Sequence, residues 1–307
     1  MRDHTAVIEP PEPPMSSISN TDHYESIGEK RSSAGFMEQE FVSVKTLVKQ
    51  GVTDIQTVDA AYTTFVMLPA YNEAEGLPSL LEKIKQVFAI NAQPYHVIVV
   101  DDASTDDTSE IAITAAEDMP LTLVRHQTNQ NLPGALRSGM MKAIEMGATG
   151  DVIITMDGDD THPPGSINCL LQKISEGYDV VTASRYQIGS RVMGVPFNRV
   201  LMTWGARMLF RMAMPIPGVR DYTCGYRAYR FDVLRDTMDH YGDEFVSEKG
   251  FSCMADVLLK MRRFKYVFGE VPLLLRYDQK QGVSKMAVRR TVMLTLKLLL
   301  KRRLGGY

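Results

Sequence analysis

Between Thr63 and Arg185 the chain repeats one pattern. A short apolar run, rich in β-branched residues, ends on a polar cluster, and a longer stretch with apolar residues at helical spacing follows. The runs are Thr64–Leu68, Val97–Val100, Leu121–Val124, Val152–Met156 and the stretch from Asp179 to Arg185, which includes its polar end. Runs of this length and composition, bounded by polar residues, read as buried strands. Helices are expected at about 74–89, after Ser104 or Thr105, at 134–146 and after Pro163-Pro164. The first carries Leu77, Leu80, Leu81, Ile84, Val87 and Phe88 at helical spacing. Ser104 or Thr105 is placed to cap the second, with Asp106 and Asp107 near its positive end. Strand alternating with helix implies an α/β fold, with a Rossmann-like, mostly parallel sheet and helices on both faces.

In such sheets ligands bind beyond the carboxyl ends of the strands. The strands here end on Glu73, on Asp101 and Asp102, on Asp157 and Asp159, and on Arg185. The most pointed of these ends is Val152-Ile153-Ile154-Thr155-Met156-Asp157-Gly158-Asp159-Asp160. Two carboxylates one residue apart can grip a hard cation that also binds phosphate oxygens. Gly158 between them leaves room for a ligand to approach the backbone. A lone Asp-Gly-Asp is as often a solvated turn; its convergence with three other polar strand ends favours a site. No G-x-G-x-x-G or G-x-x-x-x-G-K-[ST] follows a strand, which argues against a dinucleotide or P-loop site. Acids outnumber bases at the strand ends, so a diphosphate would need a divalent metal as mediator. A base and ribose would meet Pro69, Tyr71, Glu73 and Asp102. The plainer readings are a turn at Pro69-Ala70 and a helix cap at Asp102.

Composition sets the outer limits. The 307 residues suit one large domain with extensions, and 44% hydrophobic content supplies a core. A net charge of −3 does not suggest a nucleic-acid binder. Cys169, Cys224 and Cys253 show neither metal-ligand nor disulfide spacing, so a reducing, cytoplasmic setting is expected. Neither a spanning segment of about 18 apolar residues nor a signal-peptide core is read. Residues 1–60 are expected to be a disordered or loosely ordered extension, with Pro10, Pro11, Pro13 and Pro14 near its start and a short helix from Phe41 to Lys49. Residues 61–283 form the main domain, and residues 284–307 a basic amphipathic helix.

Several ordered motifs carry a resemblance. They are Pro69-Ala70-Tyr71-Asn72-Glu73; Val100-Asp101-Asp102-Ala103-Ser104-Thr105-Asp106-Asp107-Thr108; Met156-Asp157-Gly158-Asp159 with His162-Pro163-Pro164; and Ser184-Arg185-Tyr186. Over about residues 63–285 the sequence resembles family 2 glycosyltransferases of the GT-A fold, most of all the dolichyl or polyprenyl-phosphate mannosyltransferase branch. The resemblance implies that Pro69, Tyr71, Glu73, Val100 and Asp102 hold the nucleotide, and that Asp157 and Asp159, with Gly158 between them, bind Mg²⁺ or Mn²⁺ across the diphosphate. It implies that Arg185 contacts phosphate on the acceptor side and that Lys285, in Gly282-Val283-Ser284-Lys285, reaches the diphosphate. Asp221-Tyr222-Thr223-Cys224-Gly225-Tyr226-Arg227 is similar to the segment that shapes the acceptor pocket. Two positions depart from the family. Thr161 stands where Gln often serves the metal side, and Gln279 where an Arg is usual, leaving Gln279, Lys280 or Arg276 to supply that phosphate contact.

The activity so implied is an inverting transfer of a hexose, mannose foremost, from a nucleotide sugar such as GDP-mannose or a UDP-hexose to a polyprenyl phosphate. The second pKa of a phosphate monoester lies near about 6, so this acceptor needs little general-base help. Asp159, Arg185 and Lys285 would then carry catalysis by positioning and leaving-group stabilisation. A saccharide or small-molecule hydroxyl as acceptor would instead require a carboxylate base, for which Asp221, Glu244 and Glu248 are candidates. A non-catalytic nucleotide-sugar-binding protein is the third reading. Two stretches suit contact with a membrane surface. The stretch 195–214 interleaves Phe197, Trp204, Met208 and Met212 with Arg199, Arg207 and Arg211, and the stretch 285–303 sets Arg290, Lys297 and Lys301 on one helical face. Packing on the sheet or at a dimer contact is the alternative for both. A peripheral place at the cytoplasmic membrane face follows from the first option.

Overall fold

In the computed structural model, residues 5–8, 62–195, 197–250, 252–276 and 288–304 are described. The repeating apolar runs become β2 (Thr64–Ala70), β3 (Tyr95–Asp101), β4 (Leu121–His126), β5 (Val152–Thr155) and β6 (Val180–Ser184). Further strands are β1 (Thr5–Ile8), β7 (Arg191–Met193), β8 (Arg227–Arg230), β9 (Phe268–Pro272) and β10 (Leu274–Arg276). The main sheet has the order β1-β4-β3-β2-β5-β8-β6-β9, while β7 and β10 form a separate two-stranded sheet. Strands β4, β3, β2 and β5 run parallel. Strand β8 is antiparallel to both β5 and β6, and β9 is parallel to β6. Two reversals restore the original sense, so β6 and β9 point the same way as β5. The carboxyl ends of β2, β3, β5 and β6 therefore share one edge, and the amino end of β8 joins them there.

Helices cover both faces. On one side lie α1 (Leu77–Asn91), α2 (Thr108–Ala115) and α4 (Ser166–Ser175), whose Leu77, Leu80, Ile84, Ala112, Ile167 and Leu170 pack with Val66, Leu68, Val97 and Ile154 of the sheet. On the other lie α3 (Asn131–Met146), α5 (Phe197–Ala213), α6 (Phe231–Tyr241), α7 (Ser252–Met261) and α8 (Val288–Leu304). Leu136, Phe210, Leu234, Leu258 and Leu298 meet Phe65, Met67 and Ile98 in this second core. The strand alternation along each run, odd residues to one core and even residues to the other, is what a sheet buried on both faces requires.

Several expectations change. Helix α1 begins at Leu77, not near 74, because the amides of Gly76 and Leu77 both donate to the Glu73 carbonyl in a turn that precedes it. Neither Ser104 nor Thr105 caps α2. Asp107 occupies that position, without a side-chain cap, and Ser104 instead accepts the Asn72 amide at 2.9 Å. Thr5–Ile8, within the expected disordered extension, pairs antiparallel with β4; β-branched residues there can complete an otherwise open sheet edge. The expected helix from Phe41 to Lys49 lies outside the described residues. No described helix is long and apolar enough to cross a membrane.

Candidate active site

Strands β2 and β3 end level with each other, Pro69 opposite Val100 and Ala70 opposite Asp101. Beyond them the chain is cross-tied. Asn72, at a left-handed φ of 53°, receives the Thr105 amide on its Oδ1 at 2.8 Å. The Glu73 amide donates to Thr108 Oγ1 at 2.9 Å, and the Ala74 amide to Asp106 Oδ2 at 3.1 Å. Burial would raise the Asp106 carboxyl, but donors from Thr108 and Ala74 outweigh it and hold the carboxyl below its ordinary range. These bonds fix the segment from Tyr71 to Glu73 against the tail of β3. Tyr71 is exposed and Glu73 half-buried at this end of β2.

Asp102 is buried and held from three sides. Its amide donates to the Ala70 carbonyl at 2.9 Å. Its Oδ1 lies 2.7 Å from both His126 Nδ1 and the Gln130 amide, and His126 Nε2 lies 2.9 Å from Ser138 Oγ. Gln130 is the residue that starts α3. Asp102 thus does cap a helix start, that of α3 across the fold and not that of its own segment, and only one of its oxygens is taken up in doing so. His126 went unread in the sequence; a buried His two residues past an expected strand end is the signal that was there. Asp101 is structural, since Ser104 and Ser109 both donate to it. Val100 points its side chain into the core beside Met67 and Leu136, so it can meet a nucleotide only through its main chain.

The acidic turn after β5 sits on β2. A Cβ on Gly158 would lie 2.9 Å from the Pro69 carbonyl oxygen. The glycine is therefore required by strand packing; the room it leaves is filled by β2 and not by a ligand. Asp160, at φ 55°, is tied to Ser79 and Lys83 of α1. Asp159 accepts both the Thr161 amide, at 3.2 Å, and the Thr161 hydroxyl, at 2.6 Å, on Oδ1. Thr161 hence orients Asp159 instead of adding a metal ligand of its own. Behind Asp157 the buried His162 stacks on Tyr226, ring centres 5.2 Å apart, with Nδ1 3.9 Å from Asp157 Oδ2. Asp157 and Asp159 are hard oxygen donors, the right chemistry for Mg²⁺ or Mn²⁺. Among the described residues no cluster of three His, Cys, Asp or Glu forms, so a cation held here would complete its shell with diphosphate oxygens and water.

Arg185 closes the row. Its Nε and Nη2 grip the two Asp221 oxygens at 2.7 and 2.6 Å, and Nη2 also reaches Thr223 Oγ1 at 2.6 Å. A bidentate pair of this kind fixes the guanidinium plane. Burial opposes the charge on both partners, yet their attraction wins: the Asp221 carboxyl lies below its ordinary range and the Arg185 guanidinium above its own. The grip leaves Nη1 with two N–H groups for a ligand. Asp221, the candidate base, is thus consumed in holding Arg185. Glu248 pairs with Lys301 at 2.6 Å, and Glu244 sits exposed on the 3-10 turn Gly242–Glu244. Arg227 is fully buried, donating to the Met254 carbonyl at 2.7 Å and the Tyr222 carbonyl at 2.9 Å. It braces the loop before β8. Lys280, Lys285 and Gln279 lie outside the described residues. Arg276 is described, and its amide donates to the Thr161 carbonyl at 3.1 Å, beside the acidic turn.

A family model, Glycosyl transferase family 2, matches residues 65–238. Among curated proteins, the dolichol-phosphate mannosyltransferase of Pyrococcus furiosus is 35% identical over 72% of this chain, and the chain spans 58% of that relative's length. The undecaprenyl-phosphate mannosyltransferase of Micrococcus luteus is 32% identical over 72% of this chain and 86% of its own. The polyprenol monophosphomannose synthase of Mycolicibacterium smegmatis is 30% identical over 76% and 84%. Among solved structures, glucosyl-3-phosphoglycerate synthase from Mycobacterium tuberculosis, in complex with Mn²⁺, UDP-glucose and phosphoglyceric acid, superposes with a TM-score of 0.55 at 19% identity, over 80% of this chain and 81% of its own. The likeness to that structure speaks for the fold.

Proposed function

The chain belongs to glycosyl transferase family 2, and on that premise we propose that it transfers a hexose, mannose foremost, from a nucleotide sugar to a polyprenyl phosphate with the help of Mg²⁺ or Mn²⁺. The observation that carries the proposal is the row of strand ends on one edge, acids at one end and a fixed guanidinium at the other. Pro69, Tyr71, Glu73 and Asp102 form the nucleoside end, Asp102 offering the oxygen that α3 leaves over. Asp157 and Asp159 would hold the metal, which supplies charge neutralisation to the diphosphate leaving group. Arg185, held by Asp221 through Nε and Nη2, would use Nη1 to orient an anionic acceptor. Lys285, and one of Arg276, Gln279 and Lys280, are assigned the remaining diphosphate contacts by family resemblance. An acceptor that is already an anion requires no base, which agrees with Asp221 being spent on Arg185. Of the three carboxylates that could serve a hydroxyl acceptor as base, Asp221 and Glu248 are paired with cations.

The acceptor's hydrocarbon tail calls for a membrane surface. Helices α5 and α8 pack against each other, and each leaves an apolar stripe exposed. Trp204, Met208 and Met212 lie at successive i+4 positions of α5, with Trp204 51% and Met212 77% exposed. Met293, Leu296 and Leu300, at i+3 and i+4 spacing, are exposed in the same way on α8, where Lys297 and Arg303 are also exposed. Apolar side chains set among bare cations match an anionic lipid interface. The other side of α8 is anchored by Leu298 and Leu299 in the core and by Arg302, bidentate to the buried Asp256 at 2.8 and 2.9 Å. The decisive experiment offers GDP-mannose, UDP-glucose and other nucleotide sugars to the protein with vesicles containing polyprenyl phosphate. A chloroform-extractable glycolipid that disappears with EDTA is expected; metal-dependent donor binding without lipid product would move the acceptor to a soluble sugar or small molecule.

A further inference from the structure

The loop between α5 and β8 lies along the edge strand β9 and touches it twice. At Gly218, φ is 82° and a Cβ would fall 2.1 Å from the Phe268 carbonyl oxygen, so the loop backbone is pressed directly on the strand. Two residues along β9, the buried Glu270 accepts the amides of Arg220 and Asp221 on a single oxygen, at 2.6 and 2.7 Å. Glu270 is also bonded by Ser184, the residue before Arg185 and the last of β6. One carboxylate therefore joins the strand end that carries Arg185 to the loop that carries its partner Asp221. Arg185 itself adds a second link, its amide donating to Asp221 Oδ2 at 3.1 Å. Nothing in the sequence marked Glu270: it stands in a short strand outside the repeating pattern.

We propose that Glu270 is a positioning residue that sets the aim of Arg185 toward the acceptor by holding Asp221 from behind, without itself touching substrate. Asp221 can grip the guanidinium with both oxygens only if its main chain stays where Glu270 fixes it. The distance and plane of Nη1 relative to the diphosphate then depend on a side chain one layer further from the chemistry. Displacement of a positioned group by about 1 Å can cost on the order of 100-fold in rate. The inference rests on the reading that Arg185 meets an anionic acceptor.

The test uses the full chain, polyprenyl phosphate in vesicles and saturating nucleotide sugar. Glu270→Ala is expected to lower kcat/KM for the acceptor by roughly 10- to 100-fold, while KM for the nucleotide sugar stays within about twofold. Glu270→Gln keeps a carbonyl oxygen for the same two amides and should restore most of the rate. Gly218→Ala, which disturbs the other contact with β9, should reproduce the acceptor-selective loss. A merely structural role would move donor and acceptor constants together and would not be rescued by Gln. Should Glu270→Ala fail to fold, Glu270→Asp, which keeps the charge but withdraws the oxygen by one methylene, reads the same constants; wild-type kinetics there would overturn the proposal. Arg185→Gln separates the two levels. Loss of acceptor transfer in Arg185→Gln with normal kinetics in Glu270→Ala sinks the positioning role alone. Normal transfer in Arg185→Gln sinks the role given to Arg185.

Discussion

Two buried carboxylates a few atoms apart are shifted in opposite directions, and the reason is which partner each one faces. Asp221 faces Arg185 and is held low; Glu270 faces only neutral amides and a hydroxyl, so burial, with the charge of Asp221 adding to it, pushes it up. Linkage gives each a distinct pH signature. A lowered folded pKa means that Asp221 contributes stability above the unfolded value of about 3.9, lost as the pH falls through its folded value. A raised folded pKa means that ionised Glu270 costs stability, and that this cost appears as the pH rises from the unfolded value of about 4.3 through the folded one. Urea unfolding at neutral pH should therefore find Glu270→Gln at least as stable as the wild type, with the gap closing below about pH 4. Asp221→Asn leaves Arg185 buried without its counter-charge and should destabilise by about 3–5 kcal/mol. At the acidic turn, Asp159→Asn should reduce turnover by roughly 10²- to 10³-fold, the scale for losing one electrostatic contact to the leaving group; unchanged initial rates would refute the metal assignment. Gly158→Ala forces a methyl against the Pro69 carbonyl and should cost about 1–3 kcal/mol in the same unfolding experiment.

Among elements, the first half of the fold was legible and the second was not, for a physical reason. From β2 to β6 every strand is a β-branched run and the long helices α1, α3 and α4 present an apolar face, so period and composition agree. Strand β8 reads Arg-Ala-Tyr-Arg and β9 reads Phe-Gly-Glu-Val-Pro, with Arg227 and Glu270 buried in a way that only the tertiary structure explains. Helix α7 is buried on every side, including Asp256 and Lys260, and so shows no polar face. Its charges are matched by Arg302 and by one another, Lys260 lying 2.6 Å from Asp256. The same limit applies to the site. The strand-end residues were readable because the pattern exposes them, whereas His126 and Glu270 act through them and carry no motif. Helices α5 and α8 offer a clean probe, because the chain's single tryptophan is Trp204. Its emission should shift to the blue on adding anionic vesicles and stay put with neutral ones. Changing Lys297 and Arg303 to Gln should remove about 2 kcal/mol of attraction, about 1 per side chain, which is a roughly thirtyfold drop in vesicle partitioning measured by sedimentation.

At the scale of the whole molecule, the reversed direction of β8 has a consequence for how such a protein can change. The donor-side residues Tyr71, Glu73, Asp102, Asp157 and Asp159 sit just beyond the carboxyl ends of parallel strands that lead into helices on the sheet. Asp221 and Thr223 sit on a loop that arrives from α5 and enters a strand, and its footing is β9 and α7. The two halves of the proposed reaction thus lean on different parts of the scaffold, joined where Arg185 grips Asp221 and where His162, behind Asp157, stacks on Tyr226. The choice of acceptor can drift by substitution in residues 214–223 without touching the nucleotide end, and a graft of that segment with α5 from a relative should carry acceptor preference across while leaving donor preference behind. The arrangement resembles a tool with a fixed handle and an exchangeable bit, and the joint between them is one arginine and one stacked pair of rings.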